Sequence, residues 1–158
     1  MKSISLTQGK VAMVSDHRYA YLNLWKWCAQ KTRMGTWYAV RDERQGHVKK
    51  RFYMHREIMD APKGMEIDHR DGDGLNNVDE NLRICTHSQN MFNNKKPRNN
   101  TSGFKGVSLH RKTNKWFARI RFQGHIIYVG FFDNPEDAAH AYDKKAVELF
   151  GEFAKTNF

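Results

Sequence analysis

The stretch E66-IDHRDGDGLNNVDENLRICTHSQNMFNN-94 decides how the chain is read. An acid and a histidine stand side by side, Asp68 and His69, and a run of Asp, Gly and Asn follows. MEIDH reads as a strand, NLRIC as a second strand, and THSQNMFNNKK as a helix capped by Thr86. Between the strands, Asp, Gly and Asn favour an irregular loop over any regular element. The order is strand, loop, strand, helix. Breaking a phosphodiester needs an aligned water, a base to deprotonate it, and positive charge on the phosphate and leaving oxygen. His69 titrates in the range a general base needs, and Asp68 and Asn90 offer hard oxygens suited to Mg²⁺ or Mn²⁺. Adjacent strand residues point to opposite sides, so Asp68 and His69 can serve one site only where the strand ends and the chain turns. The Gly72/Gly74 loop allows that. A calcium loop is the competing reading of Asp-Gly-Asp-Gly, but the spaced oxygen ligands and terminal Glu of an EF-hand are missing.

The charge distribution supports an anionic partner. The 158 residues carry a formal net charge of +10. From Asn81 to Phe132 there is no Asp or Glu, while Arg83, Lys95, Lys96, Arg98, Lys105, Arg111, Lys112, Lys115, Arg119 and Arg121 fall in that window. These ten account for the whole excess, and the remainder is balanced. A like-charged window inside foldable sequence fits nucleic acid, with a solvated basic face as the alternative. Cys28 and Cys85 are the two cysteines, without a Cys-x-x-Cys pair, which argues against a thiolate zinc site and for a reducing compartment. The N-terminus has no signal-peptide pattern and no segment approaches a membrane span, so a soluble, cytoplasmic protein without a membrane partner is expected.

Around the central stretch, residues 1–64 read as mixed strand and helix. ISLTQGKVAMV gives two short strands about a Gln-Gly turn, and Ser15 or Asp16 caps a helix expected to reach about Lys31. TWYAVRD and VKKRFYM form a hairpin across ERQGH, and HREIM is a short helix stopped by Pro62 and Gly64. Trp25, Trp27, Trp37 and Tyr38 are assigned to the core. KPRNNTSG, taken as 97–102, has the composition of a basic linker. Beyond it, FKGVSLH, KWFARIRF and HIIYVGFF are three strands of an antiparallel sheet. In the middle one, Trp116, Ala118, Ile120 and Phe122 face one side, and Lys115, Phe117, Arg119 and Arg121 the other. A helix follows, with Asp133 or Asn134 at its cap, Pro135 in its first turn and Gly151 after its end. Its stripe of Ala138, Ala139, Tyr142, Ala146 and Leu149 allows close approach to the sheet.

IDHRDGDGLNNVDENLRICTHSQN resembles the HNH endonuclease motif, in the His-Asn-Asn variant of phage and intron homing endonucleases. The resemblance implies a ββα-metal (His-Me finger) nuclease module over 65–96, with one Mg²⁺ or Mn²⁺ per active site. Carried over, Asp68 is the metal-binding acid, His69 the general base, Asn81 the residue that braces the loop and orients the histidine, and Asn90 the second metal ligand. His87 lies close by as an alternative last ligand. SGFKGVSLH, KWFARI, YVGFF and PEDAAHAYDKKAVELFGEFAKTNF resemble the APETALA/ethylene-response-factor DNA-binding domain over about 102–158. That implies DNA held by the exposed sheet face, with Lys105, Arg119, Arg121 and Tyr128 at family positions and Arg111, Lys112 and Lys115 adding charge. Ser108 and Ile126 stand where plant members often carry arginine, so plant base specificity does not transfer. Residues 1–64 are similar to the N-terminal part of phage HNH proteins, where LTQGK and MHREIM recur.

The expected fold is therefore α+β: a mixed N-terminal region over 1–64 able to contact DNA, a ββα-metal module over 65–96, and a three-stranded sheet plus one helix over 103–158. The expected function is a metal-dependent, site-specific homing endonuclease acting on double-stranded DNA, as a monomer that nicks or a weak dimer that cuts both strands. The alternative is a non-catalytic DNA-binding regulator carrying an HNH remnant.

Overall fold

The computed structural model describes residues 1–94, 96 and 99–158, with the side chain of Gln45 outside the description. The chain divides into two compact units, 1–90 and 91–158. The linker expected at 97–102 falls partly outside the described residues, at Pro97 and Arg98.

The first unit opens with the antiparallel pair β1 (Lys2–Ser5) and β2 (Val11–Val14). Gln8 and Gly9 turn the chain between them with positive φ, as the Gln-Gly signal requires. Helix α1 (Asp16–Leu22) follows, then β3 (Cys28–Lys31), β4 (Trp37–Gln45) and β5 (Val48–Tyr53), which form one antiparallel sheet in that order. The expected helix to Lys31 is therefore too long. Trp27, 1% exposed, folds back so that its indole N–H donates to the Leu22 carbonyl at 2.8 Å. Burying that ring takes the chain out of the helix and into β3. Helix α2 (Met54–Met59) ends at Asp60, whose φ is +43.

Next come β6 (Glu66–His69), the two-residue β7 (Asn76–Asn77), β8 (Leu82–Cys85) and α3 (His87–Phe92). β6 and β8 pair antiparallel, His69 opposite Leu82 and Asp68 opposite Arg83. This is the strand, loop, strand, helix order read from the sequence. Thr86 and Gln89 close a reciprocal cap on α3: the Thr86 hydroxyl accepts from Gln89 N at 3.2 Å, and Gln89 Oε1 accepts from Thr86 N at 2.8 Å. One core holds the unit together, drawing Ile4, Val14, Leu22, Trp27, Ala39 and Met54 from the first 64 residues and Ile67 and Leu82 from the hairpin. β7 adds in parallel to β2, so the nuclease-like loop is itself a strand of the N-terminal sheet.

The second unit is the sheet β9 (Val107–His110), β10 (Lys115–Phe122) and β11 (His125–Phe132), with β10 central, and helix α4 (Pro135–Phe150). Val107, Ala118 and Ile120 pack against Ala138, Ala139, Tyr142 and Ala146. Asn134 is the cap, its side chain accepting from Asp137 N at 2.8 Å. The molecule is α+β, with the expected three-stranded sheet and helix at its C-terminal end. Among the described residues no helix is long and apolar enough to cross a membrane.

Candidate active site and nucleic-acid interface

The loop between β6 and β8 is organised by side chains that grip backbone. Asp71 accepts from Asp73 N at 2.8 Å, from Asn76 Nδ2 at 2.7 Å and from Asn81 Nδ2 at 3.0 Å. Asn81, 8% exposed, also donates to Asn76 O at 2.8 Å and accepts from Asp71 N at 3.1 Å. Asn81 thus ties the start of the loop to its end. Asp71 is its partner hub, which the sequence had shown only as one of several loop acids. Gly74 has a separate reason to be glycine: a Cβ there would lie 2.3 Å from the Trp37 carbonyl and 2.7 Å from the Tyr38 ring. The loop packs directly on the edge of β4.

His69 ends β6, where Gly72 N donates to its carbonyl at 2.8 Å and Gly72 turns with φ +74. The ring is 5% exposed. Its Nε2 lies 3.2 Å from Oδ1 of Asn77, which is fully buried. Asn77 Nδ2 donates to the Leu75 carbonyl at 3.1 Å, which fixes the amide with its oxygen toward the imidazole. Nε2 therefore carries the hydrogen, and the basic lone pair of the neutral ring is on Nδ1. Burial pushes the His69 imidazole below its ordinary range, opposed by the Asn77 hydrogen bond and by Asp71, Asp68 and Asp73. It is neutral at pH 7. His55 of α2 meets it edge-on, ring centroids 5.2 Å apart, and Tyr38 lies 5.9 Å away. Burial drives His55 down to about 3. Among the described residues, its Nδ1 is buried without a hydrogen-bond partner. Tyr38, assigned to the core by sequence, thus stands beside the histidine, and Trp25 is 40% exposed. His55 and Asn77 were missed. The MHREIM segment carried a signal for His55, whereas nothing in the sequence separates Asn77 from the neighbouring asparagines.

Asp68 and Asn90 have other partners. Asp68, 5% exposed, takes Arg83 Nε at 2.8 Å and Nη2 at 2.6 Å on its Oδ2. Glu66 is two residues away on β6 and so shares its face. Asn90 Nδ2 donates to Glu66 at 2.6 Å and the exposed His87 lies 2.8 Å from the other Glu66 oxygen. These two contacts, Asn90 first, hold the Glu66 carboxyl below its usual range. The structure thus ties Asn90 to Glu66 and Asp68 to Arg83, and seats His69 among Asn77, His55 and Tyr38. Among the described residues, no three His, Cys, Asp or Glu side chains are grouped to hold a metal ion.

On the C-terminal sheet, Arg119, Arg121 and Tyr128 are exposed, with Arg119 opposite Tyr128 in register. Arg111 and Lys112 lie in the exposed turn before β10, and the Lys115 ammonium is 3.1 Å from Asp133. Lys105 differs from the rest. Its ammonium donates to the Phe92 carbonyl at 2.7 Å, and burial lowers it to about 8.

Residues 60–92 match the HNH endonuclease family model. The chain is 30% identical to an uncharacterized HNH endonuclease, L560, of Acanthamoeba polyphaga mimivirus, across 95% of this chain and 76% of that protein. The chain belongs to the HNH endonuclease family. This HNH protein is also 35% identical to Protein 3.8 of Escherichia phage T7, across 67% of its own length and 94% of the phage protein. A further similarity, 40% over 62 residues, is to the AP2-like ethylene-responsive transcription factor TOE2 of Arabidopsis thaliana, covering 39% of this chain and 13% of the plant protein. The HNH chain thus combines an HNH motif with a segment of AP2-type similarity in its C-terminal region.

Proposed function

We propose that the protein is a metal-dependent, site-specific DNA endonuclease of the homing type. The contact that carries the reading is His69 Nε2 to Asn77 Oδ1, because it orients a buried imidazole within the stretch that matches the HNH family model. His69 Nδ1 takes a proton from water as the water oxygen bonds to phosphorus, and the bond to the leaving oxygen breaks. Asn81 acts at a distance, by holding the loop in which His69 and Asn77 meet.

The donor set fits a hard divalent cation. Asp68 would supply a carboxylate and Asn90 an amide oxygen, and Asn90 is bonded to Glu66, two residues before Asp68 on β6. A carboxylate and an amide oxygen are hard donors, of the kind that would hold Mg²⁺ or Mn²⁺. When bound, the ion neutralises charge on the scissile phosphate and its leaving oxygen. Binding at Asp68 competes with the Arg83 guanidinium, so affinity in the absence of DNA is expected to be weak.

The C-terminal sheet grips duplex DNA, with Arg119, Arg121 and Tyr128 on its open face and Arg111, Lys112 and Lys115 beside it. Lys105 supports the sheet from behind through its bond to Phe92. If ~6–8 phosphates are contacted, log affinity falls with log salt at a slope of about −5 to −7. The deciding experiment incubates supercoiled plasmid and phage genomic DNA with Mg²⁺ or Mn²⁺, with an EDTA control, for wild type and His69→Ala. Nicking abolished by EDTA and by the substitution supports the proposal. Metal-independent binding without cleavage on every substrate leaves a DNA-binding regulator instead.

A further inference from the structure

Three rungs cross the open face of the C-terminal sheet: Phe117 opposite Phe131, Arg119 opposite Tyr128, and Arg121 opposite Ile126. Tyr128 is 62% exposed, Phe131 55% and Ile126 44%. These groups are connected. The Phe117 ring centroid lies 5.9 Å from that of Phe131 and 6.1 Å from that of Tyr128, and the Arg119 guanidinium is 5.8 Å from the Phe117 ring. Scattered exposed hydrophobics are ordinary, but a contiguous apolar patch edged by cations marks a binding surface. Two arginines suit phosphate or guanine, and leave the apolar part of the face unexplained. In the major groove, the apolar feature of the base edges is the C5-methyl group of thymine.

We propose that Phe117, Ile126, Tyr128 and Phe131 read thymine methyl groups in the major groove, so that the sheet selects thymine-bearing duplex. Arg119 and Arg121 supply the charge that holds the backbone beside them. This rests on the reading that the sheet binds duplex DNA. It adds a chemical basis for choosing a site.

The test uses the full chain in EDTA, so that binding is measured without cleavage. The probes are a duplex of alternating dA and dT and the same duplex with deoxyuridine for thymidine, which removes the methyl group. Burying one methyl changes affinity roughly fourfold, so loss of two contacts weakens binding by about fifteenfold on the uracil duplex. The double variant Tyr128→Ser/Phe131→Ser lowers the ratio of the two affinities toward one. Arg121→Ala weakens both duplexes equally. The altered side chains are exposed, and circular dichroism checks that the sheet is intact. Equal wild-type affinity for the two duplexes overturns the inference, as does an undiminished ratio in the double variant. Tighter binding of single-stranded alternating DNA than of duplex also overturns it, in favour of stacking on unpaired bases. Failure to bind any DNA removes the duplex reading itself, and is distinguishable from equal binding.

Discussion

Replacing Asn77 by alanine removes both hydrogen bonds of a fully buried amide, one to His69 Nε2 and one to the Leu75 carbonyl. Each partner is then stranded. An unsatisfied buried polar group costs roughly 1–3 kcal/mol, so the variant is expected to lose about 2–5 kcal/mol of stability. That is a large share of the ~5–15 kcal/mol typical of a domain, so urea unfolding must first establish that the variant is folded at the assay temperature. Asn77→Asp keeps an acceptor for Nε2–H and serves as the milder second variant. For catalysis, a positioned general base contributes about 10²–10⁴-fold. Loss of the Asn77 acceptor frees the ring to rotate and to exchange tautomers without removing it. The expected single-turnover nicking rate therefore falls by about 10- to 100-fold, short of the loss in His69→Ala. The assay is conversion of supercoiled plasmid to open circle at saturating protein and Mg²⁺. The decisive comparison is the double variant. If Asn77 acts through His69, then Asn77→Ala costs nothing further in a His69→Ala background. An equal loss in both backgrounds, with folding intact, refutes the argument.

Three other outcomes follow from the packing. In His55→Phe, acid stability improves. Burial holds His55 at about 3, against 6.5 when unfolded, so the unfolded chain binds the extra proton and stability falls as pH drops from about 6.5 toward 3; melting temperatures across that window should decline less steeply in the variant. Gly74→Ala drives a methyl into the Trp37 carbonyl and the Tyr38 ring, and is expected to cost ~1–3 kcal/mol by urea titration while lowering nicking, because the loop must lift off β4. Gly106→Ala meets the Tyr142 ring at 2.0 Å with φ +77, so overpacking and a left-handed backbone together cost about 2–5 kcal/mol, read as loss of DNA binding on heating.

Much of this was legible in the residues because the signals were local. Thr86 announced the start of α3, Asp133 or Asn134 with Pro135 that of α4, and alternation in β10 separated its core face from its arginines. Asn81 was assigned as a brace, and its three contacts lie inside the loop. The misses were non-local. The helix from Ser15 stops at Leu22 because Trp27 turns back, which periodicity cannot foresee. Asn77 looks like its neighbour Asn76 and differs only in being drawn into a parallel strand beside β2.

That last pairing changes the meaning of residues 1–64, whose recurrent segments had no assignable role. β7 sits in register with β2, Val14 opposite Asn77, and the Ser15 hydroxyl accepts from Asp79 N at 2.9 Å while Arg18 reaches Asp79 at 2.9 Å. Tyr38 on β4 and His55 on α2 meet the His69 ring. The motif supplies the atoms of the site, but a histidine buried to 5% needs walls, and these come from the N-terminal strands and helix. A ββα hairpin of some thirty residues is too small to bury such a ring from its own side chains. Orientation of the His69 ring is thus a property of the 1–90 unit, with Tyr38 of β4 and His55 of α2 as its walls.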